Sequence, residues 1–157
     1  MTERRHLPTI ADLIDRLSIT LMKSIFIDRE SYRSEMQDIL HDLRLFTGSS
    51  AMLFNADAIY ATLVLMLANR YIWENEHEIR EIAKDMDNDA LAELPERPLN
   101  IRAMANMLRA THSVNGVRTR AKNEISKIFG ERVDQKVDCL ADDLPTHFGD
   151  WRVFEDE

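Results

Sequence analysis

Apolar residues recur along this chain at helical intervals, and little interrupts them. Ile10, Leu13, Ile14, Leu17, Leu21 and Ile25 form one stripe, and Tyr32, Met36, Ile39, Leu40, Leu43 and Phe46 form a second. Steps of three and four residues put such side chains on one face of an α-helix, whereas a strand would need alternation. With only four Gly and four Pro in 157 residues, few positions can break a helix. No stretch alternates as a strand would, and no internal repeat is visible. The chain is expected to be all-α, an antiparallel bundle of four main helices with a short C-terminal helix and a tail.

The ends of these helices can be read as well. Thr9 follows Pro8 and precedes the first stripe, with Asp12 three residues on, a capping-box arrangement. A tight link is expected at 27–31, and the second helix should run to about Phe46. The stretch TGSS at 47–50 reads as a loop. Asn55 and Asp57 are both competent caps for a third helix continuing to about Lys84, roughly 42 Å at ~1.5 Å per residue. Its first half contains AIYATLVLMLA (58–68), apolar on most sides and expected to lie centrally. A connector at 87–98 leads to a fourth helix from Pro98 through Ile101, Met104, Leu108, Val114, Val117, Ile125 and Ile128 to Phe129. Gly130 is placed to end it. A short helix over 132–140 and an acidic aromatic tail, 144–157, complete the reading. The bundle domain is thus 1–143.

Composition narrows the class. An apolar fraction of 45% and a charged fraction of 31% are those of a globular protein. The longest apolar run has 11 residues, where a membrane-spanning helix needs about 20. The N-terminal stretch is interrupted by Asp12, Asp15 and Arg16, unlike a signal peptide. The single cysteine, Cys139, rules out an internal disulfide and suits a reducing, cytoplasmic setting. Nine acids against three bases from Glu131 onward make that end −6, leaving −2 of the total −8 for the rest. Clustered Lys and Arg, the footprint of duplex binding, are missing from this pattern.

Three helices carry charged residues in line with core positions. On the first, Asp12, Asp15, Ile19 and Lys23 share a side, with Arg16 and Ser18 close by. On the third the stripe is Asn69, Trp73, Glu76 and Arg80, and on the fourth Asn115, Arg118, Lys122, Ile125 and Phe129. Ile125 and Phe129 should face the core, so Lys122 and Arg118 point the same way one and two turns earlier. Buried charges are costly alone, so such groups pair or meet a ligand. Solvated helix faces with weak surface pairs are the plainer alternative.

The segments ADLIDRLSITLMK (11–23), NRYIWENEHEIR (69–80) and NGVRTRAKNEISKIFG (115–130), in that order, resemble an uncharacterised family of short helical bacterial and phage proteins. The matching positions are Asp15, Arg16 (Lys in the family), Lys23, Asn69, Trp73, Glu76, Arg80, Asn115, Arg118, Lys122 and Gly130. His77 stands where the family has Asp, and helix two and the tail do not match. The resemblance implies a helical architecture and draws attention to the same polar stripes. It implies no reaction.

The residues bear on several chemistries. Helical nucleotide pyrophosphohydrolases bind Mg²⁺ through E-x-x-E followed by E-x-x-D on adjacent helices. Here Glu35-x-x-Asp38 and Glu78-x-x-Glu81 stand in inverted order, more than 40 residues apart. HEIRE (77–81) lacks the second histidine of a zinc-protease helix. There is no Gly-rich phosphate loop and no nucleophile elbow. The expectation is a small binding or adaptor protein with a charged pocket for an anionic phosphate- or sugar-bearing ligand or a partner protein, and the resemblance implies that it is phage-encoded. In that pocket Arg80, Arg118 and Lys122 would grip the anion, Trp73 would stack, and Asp12, Asp15, Arg16, Lys23, Asn69, Glu76 and Asn115 would complete the wall. An enzyme acting on a nucleotide or sugar phosphate is the alternative, with no cofactor specified. The aromatic residues Phe148, Trp151 and Phe154 of the tail suggest docking on a partner protein or a second copy, or folding back onto the bundle.

Overall fold

The computed structural model describes residues 7–27, 29–48, 55–86 and 97–134. It contains four α-helices: α1 (Ile10–Phe26), α2 (Glu30–Thr47), α3 (Ala56–Met86) and α4 (Arg97–Ile128). No strand occurs among the described residues. The expected short helix over 132–140 and the aromatic tail fall largely or wholly outside them, as does most of the 87–98 connector. No helix of the described residues is long and apolar enough to cross a membrane.

Local chemistry accounts for the helix ends. Thr9 caps α1: its side chain accepts from the Asp12 amide while the Asp12 carboxylate accepts from the Thr9 amide, the full capping box. Asn55 caps α3 by accepting from the Ala58 amide. Past the end of α4, Gly130 sits at φ +67°, the left-handed region that an L side chain resists. Its amide donates to the Lys127 carbonyl and the Glu131 amide to the Ser126 carbonyl, the two bonds of a Schellman motif. Pro98 falls inside the first turn of α4 instead of opening it, a place where its missing N–H costs nothing.

The chain divides into two compact units. The first comprises residues 1–70 and 117–136 and holds α1, α2, the first half of α3 and the last of α4. α1 and α2 pack as a hairpin, with Arg16 bonded to Glu35 and Lys23 lying over the Tyr32 ring. α1 and α4 run antiparallel, because ascending positions on α1 meet descending ones on α4, Asp12 with Lys122 and Asp15 with Arg118, and Ile10 meets Glu131 just past the end of α4. The core of this unit is Ile10, Ala11, Leu13, Ile14, Ile39, Ala58, Ala61, Val64, Leu65, Ala68, Val117, Ala121 and Ile125. In the second unit, 71–116 and 137–157, Val114 is fully buried, and Asn75 reaches the Met107 carbonyl and Thr111 hydroxyl.

Two expectations about burial are corrected. The apolar stripe of α1 is buried at Ile10, Leu13 and Ile14 and half-buried at Leu17, while Leu21 and Ile25 are exposed, as are Leu40 and Phe46 of α2 and Ile101 and Leu108 of α4. α3 is not central over its first half. Ala58, Ala61, Val64, Leu65 and Ala68 face the core, but Ile59, Tyr60, Leu63, Met66 and Leu67 are exposed. A helix apolar all round needs neighbours all round, and α3 has them along one side.

Candidate functional site: a carboxylate-centred network and an adjoining cavity

Asp15 is the centre of the polar structure in the first unit. It is buried on the inner face of α1, where Ile14 and Ser18 are buried beside it. One carboxylate oxygen accepts from Asn69 of α3 at 2.8 Å and from Arg118 Nε at 3.0 Å, and the other accepts from Arg118 Nη2 at 2.6 Å. Arg118 thus takes the carboxylate in two-pronged fashion, the geometry that best matches a guanidinium to it. Asn69 also donates to Ser18 at 2.7 Å, and Ser18 in turn donates to the Asp15 carbonyl at 2.8 Å. Among the described residues no buried side-chain nitrogen or oxygen lacks a partner. A charge in the core is tolerable on those terms.

One turn toward the N-terminus a second carboxylate continues the network. Lys122 places its ammonium 2.8 Å from Asp12 and 3.8 Å from Asp15, bridging the two acids of α1. Burial works to raise the Asp12 pKa. The hydrogen bond and charge of Lys122, together with the bonds from Thr9, outweigh it and bring the group down to about 2. Asp12 is an anion at any ordinary pH, set in the first turn of a helix where negative charge is favoured.

The chain beyond Gly130 returns to this helix end. Glu131 accepts from the Ile10 amide at 2.8 Å, a carboxylate on one of the amides that a helix start leaves unpaired. Burial pushes the Glu131 pKa up, Asp12 adds to the rise, and the Ile10 amide and Arg132 oppose it. Arg132 donates to the Leu7 carbonyl at 2.6 Å and lies 3.6 Å from Asp12. Asn123 and Asp134 exchange two bonds through the Asn123 amide and the Asp134 backbone. The segment 131–134 is thereby held against both α1 and α4.

A cavity of about 290 Å³ lies where these parts meet, lined by Thr9, Asp12, Lys122, Asn123, Ser126, Arg132, Val133 and Asp134. Its wall carries two cations, two carboxylates, two hydroxyls and an amide. All eight residues belong to the first unit.

Of the residues singled out in the sequence, Asp12, Asp15, Asn69, Arg118 and Lys122 are brought together. Arg16 and Lys23 are not: both turn to α2, Arg16 to Glu35 at 2.7 Å and Lys23 to Tyr32. Trp73, Glu76, Arg80 and Asn115 belong to the second unit. There Glu76 and Arg80 form an exposed pair 3.6 Å apart on one helix, an interaction of small energy. Nothing in the sequence singles out Glu131, Arg132, Asn123, Ser126 or Asp134, and the pattern around Thr9 signals a cap alone. Gly130 signalled that the chain leaves α4 there, but nothing local says where the chain goes next.

Two of the four carboxylates of the candidate metal pairs, Glu35 and Glu81, are engaged with cations. Glu35 pairs with Arg16, and Glu81 pairs with Lys84, which lowers its pKa. Among the described residues no three His, Cys, Asp or Glu side chains gather as a metal site would require.

The described residues form an all-helical fold with a self-neutralised charged network. Comparison with protein-family models, with curated proteins and with solved structures finds no match.

Proposed function

We propose that this chain is a small helical binding protein whose cavity beside the start of α1 receives a hydroxylated ligand carrying one anionic group, as a sugar phosphate or sugar acid does. One observation supports the reading: Lys122 and Arg132 stand on the wall of the same cavity, among hydroxyl and amide groups suited to sugar hydroxyls. The two carboxylates in that wall, Asp12 and Asp134, disfavour a multiply charged nucleotide and can accept bonds from hydroxyls. Its volume of about 290 Å³ sits at the lower end of small-molecule sites, the size of a monosaccharide derivative. Binding is favoured over catalysis because Lys122 and the Thr9 bonds hold the Asp12 pKa at about 2, whereas a general acid or base works best with a pKa near the operating pH.

Isothermal titration with hexose monophosphates, hexuronates and the parent neutral hexoses tests this. Heat is expected from the first two sets and not from the third, and it should fall at least tenfold in affinity with Arg132→Gln. A folded protein that gives no heat with any anionic sugar refutes the reading.

A further inference from the structure

α3 carries two apolar seams in its first four turns. Ala58, Ala61, Leu65 and Ala68, spaced three, four and three, are buried in the core of the first unit. Ile59, Leu63, Met66 and Arg70, spaced four, three and four, form the second. Tyr60 and Leu67 flank it, and the five apolar members are 38% to 57% exposed. That spacing is the seam along which one helix packs knobs-into-holes against another. Arg70 lies 5.1 Å over the ring of Phe26, itself 53% exposed, so the apolar surface continues onto the end of α1. Together these side chains expose roughly 600 Å², at the top of the range for the largest patch on a monomer. A standard interface takes about 800 Å² from each partner, so the patch supplies most of one.

We propose that this seam is a dimer interface, α3 packing antiparallel against α3 of a second copy of the chain. The seam is complementary to itself in that orientation only. With Leu63 opposite Leu63 across a two-fold axis, Ile59 meets Leu67, Tyr60 meets Met66, and Arg70 meets the small Ala56. Arg70 then lies beside Asp57, exposed next to Ala56, and the same contact is made twice. Parallel pairing would set Arg70 against Arg70. Bulk, charge and register agree in the antiparallel arrangement. The interface is separate from the cavity proposed above.

Sedimentation equilibrium of the full chain from 1 to 100 µM tests the proposal. Wild type should show twice the 18.3 kDa chain mass at the upper concentrations. Leu63→Lys and Leu67→Lys should each return it to the monomer with unchanged far-UV circular dichroism, since both positions are exposed in the single chain. Arg70→Asp should weaken the dimer at least tenfold, and adding Asp57→Arg should restore it. With Cys139 replaced by Ser, Leu63→Cys should oxidise to a covalent dimer. A wild-type mass of one chain at 100 µM overturns the proposal, whatever else covers the seam, and so does a dimer that both lysine variants leave intact.

Discussion

Asp15→Ala removes the centre of the buried network, and its cost can be worked from the contacts. The carboxylate receives three hydrogen bonds, two of them from Arg118. Removing one partner of a fully buried ion pair costs about 3–5 kcal/mol, because the other charge is left uncompensated. Here Arg118 keeps 29% of its side chain exposed and can recover some hydration, while Lys122 retains Asp12. Asn69 has no such relief, being buried with Ser18 as its remaining partner. The expected loss is therefore about 3 kcal/mol for Asp15→Ala. It should be about half that for Asp15→Asn, which keeps the volume and one acceptor. With a urea m-value of about 1.5 kcal/mol/M, Asp15→Ala should lower the midpoint by ~2 M at constant m. The double variant Asp15→Leu/Arg118→Met leaves no orphaned charge and should recover most of the loss. Urea unfolding followed by circular dichroism and by tryptophan fluorescence reads all three. A midpoint shift below ~0.3 M for Asp15→Ala would refute the network's structural role, as would a double variant no better than the sum of its parts.

Acid titration of stability should report Asp12. Its pKa falls from 3.8 to about 2 on folding, so its contribution is present above pH ~4 and lost as pH drops through 2. The difference corresponds to roughly 2 kcal/mol, reduced to about 1 kcal/mol because Asp12 is more than a third exposed. Asp12→Asn should flatten the stability profile between pH 4 and 2. Thr9→Ala should cost about 1 kcal/mol in urea unfolding, since it removes the hydroxyl that takes the Asp12 amide. Gly130→Ala should cost about 1 kcal/mol through backbone strain alone, as nothing lies within 4 Å of the added methyl. On α3, Leu65→Ala should cost about 3 kcal/mol by opening a cavity. Thermal melts of these variants check each value.

Local sequence chemistry sets the helices, their stops and the inner face of the first half of α1. The Thr9–Asp12 cap, the Gly130 terminus and the alignment of Asp12 and Asp15 with core positions are local properties, set by 3.6-residue periodicity and single-residue chemistry. The same periodicity marked Arg118 and Lys122 as sharing a side with Ile125, and they do meet those acids. Which charges pair depends on how the helices are packed. A helix face spans many side-chain directions, and a small rotation sends Arg16 and Lys23 to α2 while Asp15 turns to α3 and α4. Likewise the run at 58–68 announces an apolar helix but not how many neighbours it will have, since burial belongs to what stands opposite. Leu65 and Leu63 are alike in sequence. One is enclosed and the other is open because the first unit packs against one side of α3 alone.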